Sequence, residues 1–134
     1  MLSGSAPYAD FAEASRAVLR YLKQTIPFGA WIVSRIEGRD YVVLAVEADA
    51  GDIKAGDTLP AEDTMCLRML AGEGPHIAPD VQRVPAYQAL LGRYPQAIGA
   101  YIGFPLQRED GSDFGTLCAV DAQRREADIE AHRA

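Results

Sequence analysis

The sequence predicts an α+β fold: a central antiparallel β-sheet with helices on its faces. Three observations carry this reading. Two hairpin-like stretches, over residues 31–46 and 98–120, lie towards the two ends of the chain. Short helical stretches separate them, and an amphipathic segment precedes the first. A chain of 134 residues has the length of one domain. With 49% hydrophobic and 24% charged residues it can bury a core and present a polar surface. Residues 1–134 are therefore read as a single domain.

The first element is a helix. Asp10 is placed at its N-cap, with Glu13 three residues later completing a capping box. Phe11, Ala14, Val18, Leu22 and Ile26 recur every three or four residues and form its apolar stripe, with Leu19 beside it. Pro27 ends the helix. Trp31 to Ile36 and Tyr41 to Val46 are rich in β-branched and aromatic residues, and Glu37-Gly38-Arg39-Asp40 turns the chain between them. In the first strand Trp31, Val33 and Arg35 share one face, and Ile32, Ser34 and Ile36 the other.

Residues 47 to 60 read as a loop marked by Gly51, Gly56 and Pro60. Six carboxylates and one lysine fall between Glu47 and Asp63, without the spacing of a calcium-binding loop. Ala61 to Leu70 reads as a helix with Pro60 in its first turn and Gly72 and Gly74 beyond its end. Pro75 to Val81 is too broken by proline for a central strand and is assigned to a sheet edge. A second short helix runs from Pro85 to Arg93, closed by Gly92 and Pro95. The last hairpin joins Ile98–Leu106 to Phe114–Val120 through Asp110-Gly111-Ser112. Gly99, Gly103 and Gly115 leave gaps in its strands, the mark of a bulge or of close approach by another group. From Asp121, read as an N-cap, a charged final helix begins.

Charge excludes several classes of function. Thirteen Lys and Arg against nineteen Asp and Glu give a net charge of −6. Nucleic-acid binding needs a basic face to displace counterions, and docking on an anionic membrane needs the same. Neither partner is expected. Two cysteines without a CxxC pattern fit a reducing cytoplasm better than a disulfide scaffold. No stretch approaches the ~20 apolar residues of a membrane span. Met1 to Ser5 lack the basic and apolar regions of a signal peptide.

Three stretches resemble the GAF domain, a small-molecule sensing module related to PAS domains. The first is Phe28-Gly29-Ala30-Trp31, leading into the first hairpin. The second is Thr64-Met65-Cys66-Leu67-Arg68-Met69 followed by Pro75-His76-Ile77-Ala78-Pro79-Asp80-Val81. The third is Gly103-Phe104-Pro105-Leu106, Asp110-Gly111 and Phe114-Gly115-Thr116-Leu117-Cys118-Ala119-Val120-Asp121. It is similar to the last two strands of a GAF domain. The resemblance covers roughly residues 10 to 127. It implies a pocket on one face of the sheet, roofed by the middle helices. It also implies an output domain, such as a histidine kinase or a cyclic-di-GMP synthase or phosphodiesterase, reached through terminal helices. This chain shows no output domain and resembles an excised or stand-alone sensor.

Residues placed to face such a pocket are Trp31, Met65, Cys66, Met69, Tyr87 and Tyr101. Trp31 and Tyr101 could stack on a planar ligand, and Arg68 could pair with a carboxylate or phosphate. The same residues could equally fill the core. Asp80 could line the pocket from its loop, or close a turn or cap the helix near Pro85. Cys66 lies in the first turns of a helix, where the macrodipole can lower a thiol pKa; it could also be a small buried hydrophobe, as Cys118 in the last strand is taken to be. Bilin-attaching GAF domains typically carry a cysteine followed by histidine, whereas Leu67 follows Cys66. The free-methionine-sulfoxide reductases of the family carry cysteines in the stretch corresponding to Gly72–Asp80, which has none. The cyclic-nucleotide signature is absent too. His76 and His132 have no partner at a metal-like spacing.

The resulting expectation is a non-catalytic cytoplasmic sensor. It binds a small molecule, forms a homodimer through its terminal helices, or does both, and so regulates an output domain or partner protein. Leu19 is placed in the dimer contact. A thiol-dependent reductase using Cys66 and a structural dimerisation module with a self-filled pocket remain alternatives. The sequence names neither the ligand nor a cofactor.

Overall fold

A computed structural model describes residues 7–49, 53–93 and 98–125, with side chains from Glu13 onward. Helix α1 spans Pro7–Thr25. Strands β1 (Ala30–Glu37) and β2 (Asp40–Ala48) form the first hairpin, and β3 (Thr58–Pro60) returns beside it. Helix α2 (Met65–Leu70), strand β4 (Ile77–Ala78) and helix α3 (Pro85–Gln88) lead to the second hairpin, β5 (Ala100–Gln107) and β6 (Asp113–Asp121). All six strands join in one antiparallel sheet of order β3-β2-β1-β6-β5-β4. The two hairpins thus meet at its centre through β1 and β6, and β4 is an edge, as its prolines demand.

Several local expectations are corrected. Helix α1 is described from Pro7, so Asp10 lies inside the helix rather than at its N-cap. Its sheet-facing row is Ser15, Leu19, Leu22 and Ile26, while Ala14 and Val18 are exposed. Both Val18 and Leu19 fit the spacing from Leu22, and the larger side chain takes the sheet. Leu19 is fully buried and makes no dimer contact of its own. The expected loop at 47–60 ends in a third strand: Pro60 pairs with Asp40 at the edge of the sheet instead of opening a helix. The expected helix 61–70 is split. A single 3-10 turn at Ala61–Asp63 is followed by Thr64 in extended conformation, whose hydroxyl accepts from the Leu67 amide at 3.2 Å and starts α2 afresh.

The stretch 85–93 likewise divides into α3 and a 3-10 turn at Leu91–Arg93, with Gly92 inside that turn rather than beyond it. The side chains of Asp10 and Phe11, and Pro95, His132 and the final helix beyond residue 125, lie outside the described residues.

Asp121 ties the ends of the fold together. It accepts from the Gly29 amide at 3.0 Å, the Gln123 amide at 3.0 Å and Arg125 Nη1 at 2.8 Å. Arg125 also donates to the Pro27 carbonyl, and its amide to the Pro79 carbonyl, both at 2.9 Å. Its guanidinium lies 5.0 Å from the centre of the Phe28 ring. The chain therefore leaves the sheet pinned to the end of α1 and to the loop after β4. No helix of the described residues is long and apolar enough to cross a membrane.

The sheet carries a separate core on each face. Helix α1 packs over Trp31, Val33, Ala45 and Ile102 on one side. Helices α2 and α3 close over Ile32, Tyr41, Val43, Tyr101 and Cys118 on the other. An irregularity between Val33 and Ser34, where Leu44 is the extra residue of β2, lets Tyr41, Val43 and Val46 all serve the second face.

Candidate functional site

The second face is the candidate site. Antiparallel register sets its floor. Cys118 on β6 stands opposite Ile32 of β1 and Gly103 of β5, Thr116 opposite Ser34 and Pro105, and Val120 opposite Ala30 and Tyr101. Gly103 leaves room that the side chain of Tyr101 fills: a Cβ at Gly103 would collide with the Tyr101 hydroxyl and ring. Gly99 and Gly115 admit backbone, from Gln123–Arg124 and Ser34 respectively. All three glycines therefore receive parts of the chain itself.

The roof comes from α2 and α3. The Thr64 cap orients α2 so that Met65, Cys66 and Met69 point inward and are buried. Tyr87 of α3 is also buried; its hydroxyl donates to the Pro75 carbonyl at 2.6 Å, and its ring meets that of Tyr101 edge-on at 5.2 Å. A Cβ on Gly74 would lie 2.5 Å from the Tyr87 ring, so a glycine there lets the ring seat.

Within this apolar layer, polar atoms converge on one sulfur. Tyr101 Oη and Thr116 Oγ1 each donate to Cys66 Sγ at 3.3 Å. Thr116 is in turn 2.7 Å from Ser34 Oγ, which completes a relay from β1 through β6 to α2. Tyr41 Oη lies 3.9 Å from Cys66 Sγ and 3.5 Å from Cys118 Sγ. The Tyr41 hydroxyl therefore stands against both sulfurs.

The electrostatic consequence is unequal for the two thiols. Burial pushes Cys66 up, but hydrogen bonds from Cys118, Thr116, Tyr101 and Tyr41 outweigh it and hold the thiol at about 7. Cys118 is pushed well above its ordinary value by its hydrogen bond to Cys66, by burial and by the charge on Cys66. The pair gives up one proton, from Cys66, and retains the second. Tyr41 and Tyr101 are pushed up chiefly by burial and then by the neighbouring Cys66 and Cys118.

Of the residues expected to line a pocket, the structure brings Met65, Cys66, Met69, Tyr87 and Tyr101 together. Trp31 is on the opposite face, where its Nε1 donates to the Ile26 carbonyl at 2.8 Å. It lines a shallow apolar groove of about 120 Å³ with Leu22, Ile26, Ile102, Phe104 and Leu117. It cannot stack with Tyr101 on one ligand. Arg68 lies on the outside of the roof, 3.4 Å from both Glu73 Oε1 and the Glu62 carbonyl. Asp80 closes a turn: it accepts from the Gln82 amide at 3.1 Å and pairs with Arg83 at 3.7 Å and Arg124 at 3.9 Å. His76 is exposed, with Nδ1 2.9 Å from the Gly103 carbonyl and its ring stacked on Phe104. Among the described residues no three His, Cys, Asp or Glu side chains come together as metal ligands.

Tyr41, Ser34 and Thr116 are site residues that sequence reading did not single out, and Cys118 was taken only as core. Their signal was present in strand parity: Ser34 shares a face with Ile32, and Thr116 with Cys118.

No protein-family profile and no curated protein matches the sequence. Solved structures match the fold. The PixJ GAF domain of Thermosynechococcus elongatus, in its blue-light-absorbing form, superposes with a TM-score of 0.71 at 17% identity, over 94% of this chain and 80% of that one. The type II free methionine-R-sulfoxide reductase of Thermoplasma acidophilum gives 0.64 at 19% identity, over 92% and 86%. The chromophore-binding domain of Stigmatella aurantiaca phytochrome P1 gives 0.63 at 16% identity; the match covers 93% of this chain but only 56% of that one. The chain has the GAF fold.

Proposed function

We propose that this chain is a GAF-type sensory domain without catalytic activity, whose ligand site lies beneath α2 and α3. One observation carries the reading. Five polar side chains from β1, β2, β5, β6 and α2 converge inside an otherwise apolar layer under a roof of two short helices. Buried polar groups are costly unless satisfied. Here they satisfy one another, and a small molecule entering under α2 would meet the hydroxyls of Tyr41, Tyr101 and Thr116 together with the Met65 and Met69 side chains. The side chains described there are buried, so in this reading a ligand enters as the roof lifts. The GAF and phytochrome neighbours are consistent with a sensory role.

The same reading places the protein in the cytoplasm, where its two free thiols stay reduced, and gives it an output domain or partner protein rather than nucleic acid or membrane. A homodimer would use the outer face of α1. Val18 and Tyr21, exposed by 48% and 65%, take the place assigned to Leu19.

Native mass spectrometry of freshly purified protein tests the proposal. The expected result is a retained small molecule that is lost from a Tyr101→Leu variant that remains folded. A bare mass, with no rise in Tm in the presence of any compound of a metabolite panel, would overturn it. A second reading, a thiol-dependent reductase, draws on Cys66 being held at about 7 and on the fold shared with a methionine sulfoxide reductase. Its mark would be turnover of an oxidised substrate with added reductant, abolished by Cys66→Ala.

A further inference from the structure

We propose that Cys66 and Cys118 are a reactive pair that a small peroxide oxidises to an intramolecular disulfide, tying helix α2 to strand β6. The chemistry stands on the geometry of the pair. Its consequence, locking the roof over the floor, rests on the sensory reading above.

Both cysteines are free and buried, and they come from the two layers that must separate for the site to open. Cys66 is in the first turn of α2, a helix of only six residues. Cys118 sits in β6, flanked by β1 and β5. The Tyr41 hydroxyl lies 3.9 Å from Cys66 Sγ and 3.5 Å from Cys118 Sγ, so one buried side chain touches both sulfurs. A disulfide needs the sulfurs to close to ~2.05 Å. Cys66 belongs to a six-residue helix that starts at the Thr64 cap, and closing the bond would draw that helix toward β6.

The roles within the pair are unequal. Tyr101 and Thr116 aim hydroxyls at Cys66 Sγ and stabilise its thiolate, while Cys118 keeps its proton. The Cys66 thiolate attacks one peroxide oxygen. An S–O bond forms, the O–O bond breaks, and the departing hydroxide takes up a proton and leaves as water. The Cys118 sulfur then attacks the sulfenic sulfur. An S–S bond forms, the S–O bond breaks, and the Cys118 proton leaves with the hydroxide as a second water. Two thiols lose two electrons and the peroxide gains them.

The test uses the full, reduced chain. It is treated with graded hydrogen peroxide, alkylated under denaturing conditions and weighed intact. The expected product is monomeric, lighter by two hydrogens and inert to alkylation, and its digest contains a peptide joining Cys66 to Cys118. Cys118→Ala is expected to accumulate a sulfenic acid at Cys66 that a 1,3-diketone probe captures. Thr116→Val should slow disulfide formation about tenfold at neutral pH. Two alkylatable thiols in peroxide-treated native protein, under conditions that oxidise the denatured chain, would overturn the proposal, as would a disulfide that joins two chains. None of these readouts involves a ligand. A disulfide formed in a chain that retains no small molecule would uphold this proposal while the sensory reading failed.

Discussion

The two faces of the sheet are built from the same strands and yet differ in kind. On the α1 face, Leu19, Trp31, Val33 and Ile102 make an apolar contact, and the buried Trp31 Nε1 donates to a backbone carbonyl. Part of that face is open at Phe104, which is 42% exposed. On the α2 and α3 face the core residues described are buried, and among them hydroxyls and thiols depend on one another. A plain apolar contact tolerates small gaps at modest cost. A buried polar network is stable only while every member keeps its partner. The first face holds the fold together. The second is where one added or removed group, such as a ligand or a bond between sulfurs, changes the balance.

The largest expected effect breaks the first face. Leu19→Glu places an unpaired carboxylate in a fully buried position and should cost about 3–5 kcal/mol in urea denaturation. The neighbouring Val18→Glu, on the exposed side of the same helix, should stay within about 0.5 kcal/mol. Equal effects from the two would mean that the helix phase described here is incorrect.

On the second face, Gly103→Ala drives a Cβ into the Tyr101 hydroxyl and ring. The ring has no exposed space to move into, so a loss of roughly 1–3 kcal/mol is expected, with a changed tyrosine signal in near-ultraviolet circular dichroism. Gly92→Ala, where an added Cβ meets nothing within 4 Å, is the control.

Next comes pH dependence. The folded-state pKa of Cys66 is lowered, so its contribution is present above the unfolded thiol value and is lost as pH falls through about 7. Those of Cys118, Tyr41 and Tyr101 are raised, so their contributions are present below their unfolded values and are lost as pH rises beyond them. The urea midpoint should therefore climb from pH 6 to a maximum near ~8.5 and fall above ~10. Cys66→Ala should flatten the rise. Leu22→Ala, on the first face, should lower the whole curve without changing its shape.

The smallest effect belongs to the open part of the first face. Phe104→Ser removes a half-exposed ring stacked on His76 and should cost no more than about 1 kcal/mol in thermal or urea melts.

Much of the fold was legible because its signals are local. Alternation in Trp31–Ile36 and Phe114–Val120, turns at Gly38 and Gly111, and the prolines around Ile77 each determine an element by short-range physics. What escaped was decided at longer range. Strand β3 exists because Tyr41 offers a neighbouring edge to Leu59. The phase of α1 was a choice between Val18 and Leu19 that only the sheet could make. The site follows the same division. Met65, Cys66 and Met69 share a helical face, and Tyr87 and Tyr101 were recognisable as large buried rings. Trp31 was placed on the wrong face because parity says which residues alternate but not which side lies under α2. Thr116 and Tyr41 acquire meaning only through a register that joins β1, β2 and β6.

The most direct test of a closed site that opens is native-state amide hydrogen exchange. Amides of α2 and α3 should exchange through a local opening with a free energy well below that of global unfolding, while those of β1 and β6 exchange only when the whole chain unfolds. Protection in α2 equal to that in β1 and β6 would mean that the roof never lifts on its own, and would contradict the account.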